Sequence, residues 1–186
     1  MLNDKQPIID FLNHYLSIAT IIGLVFVCFW IVGIIGTSLL NKKCYISIFF
    51  SRFALPIGFL AALGGTFMSL FYSDYLGVLP CGLCWFQRVA LYSQAFLFGL
   101  AWYKKDRNIF AYTLTFSIFG AVVALYHSFL QWGYSELIPC PVVASTVDCA
   151  KPSFMEFNFV SFPFMSFVMF VFLIILSVLQ VKNKRA

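Results

Sequence analysis

Five long apolar runs, Leu16–Leu40, Phe53–Tyr72, Cys84–Tyr103, Ile109–Gln131 and Pro163–Val181, leave this chain few ways to fold. A helix needs roughly 20 apolar residues to cross a hydrocarbon core about 30 Å thick, and each run has about that length. Of the 186 residues, 62% are hydrophobic and 24 are Phe, more apolar surface than a water-soluble domain of this size can hide. Lipid must therefore be the solvent for most of the chain. Backbone groups in lipid have to be bonded within their own segment, which makes the runs helices and the protein an all-α integral membrane protein. The first run differs from a secretory signal: its apolar core is too long, its leading segment is not basic, and no small-residue cleavage site follows. It is expected to remain as a membrane helix.

Charge sets the expected orientation. Lys42, Lys43 and Arg52 follow the first run, Lys104, Lys105 and Arg107 follow the third, and Lys182, Lys184 and Arg185 follow the fifth. The alternate segments carry only Lys5, Arg88 and Lys151. Because cytoplasmic loops are enriched in Lys and Arg, the N-terminus is expected outside and the C-terminus in the cytoplasm. The net charge of +5 is divided among three short segments and forms no continuous basic surface, which argues against a nucleic-acid partner.

The six cysteines divide by side. Cys28 falls mid-membrane, where it reads as a small packing residue, and Cys44 reads as a reduced cytoplasmic thiol. Cys81, Cys84, Cys140 and Cys149 all fall outside, as the pairs Cys81-Gly-Leu-Cys84 and Cys140 to Cys149. Spacing and sidedness leave three readings open. Two structural disulfides would suit an oxidising compartment. A zinc site usually draws on two tight knuckles, and the second pair is too widely spaced for one. Two dithiols on one side of a membrane can also pass electrons by thiol–disulfide exchange.

Local chemistry points to exchange. Pro80 suits the first turn of a helix, so Cys81-x-x-Cys84 is expected to open the third span, where unpaired amides and the helix dipole favour a thiolate. Arg88, the one Lys or Arg within the runs, lies one turn after Cys84 on the same face. It either snorkels to the headgroups or stabilises an anion beside Cys84. His127, near the outer end of the fourth run, is expected at a depth similar to Arg88. Together they suggest a polar pocket in the outer leaflet for a lipid-soluble electron acceptor. The segment Ser153 to Phe162, "SFMEFNFVSF", is too short to cross and reads either as interfacial or as packing at the start of the fifth run.

These residues resemble the DsbB-type disulfide bond formation proteins of bacterial inner membranes, including BdbC-like members. "CGLCWFQR" matches that family's Cys-x-x-Cys-x-x-x-Arg pattern at Cys81, Cys84 and Arg88. "YHSFLQ" looks like the segment whose histidine lies near the quinone, at His127. The resemblance covers residues 53–181 and implies a four-helix transmembrane bundle built from spans two to five. An additional N-terminal transmembrane helix and its basic loop occupy residues 1–52, and residues 182–186 form a cytoplasmic tail.

By the same resemblance the protein is a quinone-dependent thiol oxidase. A DsbA-like, thioredoxin-fold partner would be oxidised at Cys140 and Cys149. The electrons would pass through an interloop disulfide at Cys81 to Cys81/Cys84 and then to ubiquinone or menaquinone, held near Arg88 and His127. No metal is implied. The first run lies outside the family pattern, and the second cysteine pair is closer together than in the best-known members. The vitamin K epoxide reductase family uses similar parts, but there the loop pair precedes the Cys-x-x-Cys. The competing class is a membrane assembly or transporter subunit with structural disulfides.

Overall fold

A computed structural model describes residues 5–39, 45–134 and 148–185, and among them the chain is helical apart from short connections. The helices are α1 (Gln6–Leu39), α2 (Tyr45–Arg52), α3 (Ala54–Leu70), α4 (Gly82–Lys104), α5 (Ile109–Gln131) and α6 (Phe162–Arg185). The only pairing of extended backbone among the described residues is a single bridge between Glu156 and Val160. α1, α5, α6 and the stretch Ala54–Tyr75 are each long and apolar enough to cross a membrane. α4 is long enough for a fifth: its 23 residues span about 34 Å at 1.5 Å per residue.

Two expectations need correcting. α1 begins ten residues before Leu16, and its 34 residues reach about 51 Å, well beyond a hydrocarbon core. Its polar first turns are held by the rest of the fold. Asn13 accepts a hydrogen bond from the Tyr72 hydroxyl (2.9 Å) and His14 Nδ1 meets Glu156 (3.2 Å). The basic connection after α1 also contains a helix, α2, whose Phe50 packs against Trp30 of α1 and Phe172 of α6.

α3 to α6 form the bundle core. α5 packs closely on α6 at Gly120, where a Cβ would lie 2.4 Å from the Phe170 ring and force it to move. Polar pairs join the helices where water is absent: Ser117 donates to Gln94 Oε1 (2.8 Å), and the Thr113 and Ser177 hydroxyls meet at 3.3 Å. The amino end of α1, the start of α4 and the 156–160 turn lie at one end of the bundle. Arg107, Ser51 and Gln180 join α2, α6 and the α4–α5 connection at the other.

The segment Ser153 to Phe162 is not helical before its last residue. It turns tightly, with Phe157 (φ 52°) and Asn158 (φ 63°) both left-handed, and Glu156 N donates to Val160 O (2.9 Å). Trp132 Nε1 donates to Phe159 O (3.1 Å), tying the turn to the end of α5.

Candidate functional site

The site forms where α4 begins. Gly77 (φ 78°) ends the segment after α3, Pro80 precedes the helix, and Cys81 caps it in extended conformation (φ −78°, ψ 174°). The proline therefore sits one residue outside the helix rather than in its first turn, and Cys81 is the capping residue. Its Sγ accepts the Cys84 backbone N–H at 3.4 Å, a bond that a serine or aspartate usually makes. The Cys81 and Cys84 sulfurs approach to 2.9 Å.

His127 is completely buried behind this cap. Gln87 Nε2 donates to its Nδ1 (3.0 Å), which places the ring proton on Nε2. Nε2 lies 3.2 Å from the Cys149 carbonyl oxygen and 3.6 Å from Cys81 Sγ. The Gln131 amide nitrogen lies 3.3 Å from Nε2 as well. In the dithiol form, the hydrogen bond from the Cys84 thiol holds the Cys81 thiol well below the usual thiol range. The His127 ring adds to this effect, and burial opposes it.

Cys149 is fully buried, disulfide-bonded, and packed in one apolar cluster with Cys81, Leu83 and Leu130. The Asp148 carboxylate accepts the Ala150 N–H (2.9 Å) and turns the chain at this point. Cys140 and Cys44 lie outside the described residues.

On its other side the dithiol borders a cavity of about 570 Å³. Cys84, Gln87 and Arg88 line its polar end with Ser69 of α3. Arg88 Nη2 donates to the Ser69 carbonyl (3.1 Å), and the guanidinium lies 5.4 Å from the Trp85 ring centroid. Arg88 thus bonds the backbone of α3 rather than Cys84. Among the described residues its remaining donors take no other hydrogen-bond partner, so they can serve an acceptor in the cavity. The rest of the lining is largely apolar, from α1, α3 and α6. A polar end with a fixed cation and a long apolar body suit a carbonyl-bearing lipid.

The two residues expected to share one pocket are separated. Arg88 lines the cavity, whereas His127 lies on the Cys149 side of the dithiol and is not among the lining residues. Gln87 connects them, lining the cavity while bonding His127. Sequence reasoning passed over Gln87, although an amide between Cys84 and Arg88 in an apolar run was a visible signal. The sulfurs of Cys81 and Cys84 and a ring nitrogen of His127 also lie within 4.8 Å of one another, a donor set suited to a thiophilic cation when the cysteines are reduced.

Comparison with known proteins follows the same residues. Residues 51–180 match the model of a family described as disulfide bond formation protein DsbB. The chain is 32% identical over 136 residues to the probable disulfide formation protein C 2 of Bacillus anthracis, covering 72% of this chain and 95% of that one. It is 36% identical over 102 residues to the SPbeta prophage-derived disulfide bond formation protein B of Bacillus subtilis, covering 55% and 68%. The probable disulfide formation protein of Chlamydia caviae is 32% identical over 132 residues, covering 71% and 94%. No solved structure matches.

Proposed function

Because the chain belongs to the DsbB family of membrane disulfide-formation proteins, we propose that it is a quinone-dependent thiol oxidase that regenerates a soluble dithiol partner. The observation that carries this reading is the two-sided dithiol. Cys81 packs with Cys149 and His127, while Cys84 lines the cavity that Arg88 enters. The charge bias supports an orientation with both cysteine pairs outside a bacterial cytoplasmic membrane, and the expected partner is a DsbA-like, thioredoxin-fold protein.

The partner's thiolate attacks the Cys140–Cys149 disulfide, and its second thiol resolves the mixed disulfide. The partner loses two electrons and two protons, and the loop pair is reduced. A loop thiolate then attacks Cys81 Sγ, breaking the Cys81–Cys84 bond and releasing Cys84 as a thiolate close to Arg88. The second loop thiol gives up its proton, which Cys84 takes, then attacks the interloop bond, restores Cys140–Cys149 and expels Cys81 as the thiolate. A thiol with a lowered pKa leaves faster, so the Cys84 and His127 hydrogen bonds to Cys81 assist this step. His127 acts here as a positioning residue, holding Nε2–H toward Cys81 while Gln87 fixes the tautomer.

Arg88 and Ser69 would hold the head of ubiquinone or menaquinone at the polar end of the cavity, with the apolar walls excluding water. The bound quinone supplies the acceptor for the two electrons and two protons released when the Cys81–Cys84 disulfide re-forms.

Thiol trapping in cells with and without quinone tests the proposal. Without quinone the four outer cysteines should accumulate reduced, and Cys84→Ser should trap an interloop disulfide at Cys81. Cysteines that stay oxidised whatever the quinone supply would instead identify structural disulfides, as in an assembly or transporter subunit.

A further inference from the structure

The cavity is not built by the family's bundle alone. The family match begins at residue 51, whereas Leu16, Ala19, Thr20, Gly23, Phe26 and Val27 of α1 line the cavity. From Leu16 to Val27 this wall runs about 16 Å along the helix. Cys84, Gln87, Arg88 and Ser69 gather at one end, and Phe26, Val27, Ala61 and Phe172 line the other. A quinone head needs only the polar end. The remaining length is largely apolar and far longer than a single ring.

The space lies between α1 and α3. A Cβ at Gly64 of α3 would meet nothing within 4 Å, and one at Gly23 of α1 would touch only Val168 of α6, at 3.8 Å. Both glycines line the cavity. α1 is held off α3 by contacts at its two ends: Asn13 on Tyr72 near the dithiol, and Trp30 against Phe50 and Phe172 at the other end. The slot between these anchors has a volume in the range usual for small-molecule sites.

We propose that α1 forms a binding wall for the polyprenyl tail of the quinone, making the N-terminal helix a determinant of tail recognition. The inference rests on the proposed quinone site and deepens it. Continuity with the Arg88 end names the occupant, because a plain acyl chain would have no use for the half-buried guanidinium that lines it.

The test uses the full-length protein in nanodiscs and a benzoquinone carrying a photoreactive group at the end of a decyl tail. Cross-links should fall on α1 peptides between Leu16 and Val27 and disappear with excess unlabelled decyl-benzoquinone. Gly23→Phe should weaken equilibrium binding of decyl-benzoquinone about tenfold, the scale on which a hydrophobic pocket responds to small changes in shape, and leave a tailless benzoquinone unaffected. Gly64→Phe fills the same slot from the opposite wall, which keeps the test open if the first variant folds poorly. Gly36→Phe on α1 meets no neighbour within 4 Å, does not line the slot, and should change nothing.

Cross-links confined to α3, α4 and α6, with decyl-benzoquinone binding unchanged in both cavity variants, overturn the role of α1 while leaving the thiol oxidase intact. Failure of either quinone to bind the unaltered protein overturns the oxidase reading and this inference with it.

Discussion

Replacing His127 with Phe should raise the pH at which Cys81 becomes reactive. The ring offers Nε2–H to Cys81 at 3.6 Å, from a position that is completely buried. A hydrogen bond to a charged group contributes about 1.5–3 kcal/mol, and this long contact to sulfur belongs at the lower end. At 1.36 kcal/mol per pH unit, the loss corresponds to about one unit. The sign follows from the charge: the bond favours the thiolate, so removing it raises the Cys81 pKa and alkylation falls off at a higher pH. The measurement is the iodoacetamide alkylation rate of Cys81 against pH, read by peptide mass, in reduced Cys84→Ser protein. There no second thiol titrates beside Cys81, so the His127 effect is isolated. His127→Gln, which keeps an N–H donor, should recover part of the shift. A midpoint that stays put in His127→Phe refutes the assignment of His127 to Cys81 and leaves the histidine as a link between Gln87 and the Cys149 carbonyl.

Arg88→Met should raise the KM for quinone about tenfold or more, because it removes the one cation at the polar end of the cavity, while the interloop disulfide still forms; equal KM values would confine the arginine to the Ser69 carbonyl. Gly120→Val should lower the melting temperature of the purified protein and destabilise the bundle by about 1–3 kcal/mol, since its Cβ must displace the Phe170 ring; an unchanged melt contradicts the close α5–α6 approach. Asn13→Leu leaves the buried Tyr72 hydroxyl without its acceptor and should cost about 1–3 kcal/mol, measured as faster proteolysis of the amino end of α1.

The spans were legible because lipid imposes one rule on every backbone group. α5 begins and ends where hydropathy drew it, at Ile109 and Gln131, since polar or turn-forming residues flank both ends. α1 extends beyond its apolar run because Asn13 and His14 find polar partners, Tyr72 and Glu156, that are remote in sequence. α2 was missed because eight residues between basic positions look like a loop until Phe50 finds Trp30. At the site, Cys81, Cys84, Arg88 and His127 could be singled out because charged or reactive groups are rare in apolar runs. Which of them share a wall could not, because that depends on the rotation and spacing of helices. The cavity itself is an absence of atoms between α1 and α3, and no residue pattern encodes one directly.

The Cys-x-x-Cys spacing then acquires a second meaning. A separation of three lets the sulfurs bond, and in this chain it also divides them between the cap and the first turn of α4. The cap residue is extended and sits within the cluster of Cys149, whereas Cys84, at the edge of that cluster, is already helical and alone of the two lines the large cavity. One short motif thereby presents one sulfur to the loops and the other to the cavity, and in the proposed relay their mutual bond is the link between the two. Arg88, one turn further on, is placed by the same helix at the lipid-side sulfur, and Gln87 beside it reaches back to His127 on the loop side. The polar residues that look out of place in the third apolar run are therefore ordered by helix geometry, two on the cavity wall and one of these also braced against the histidine behind Cys81.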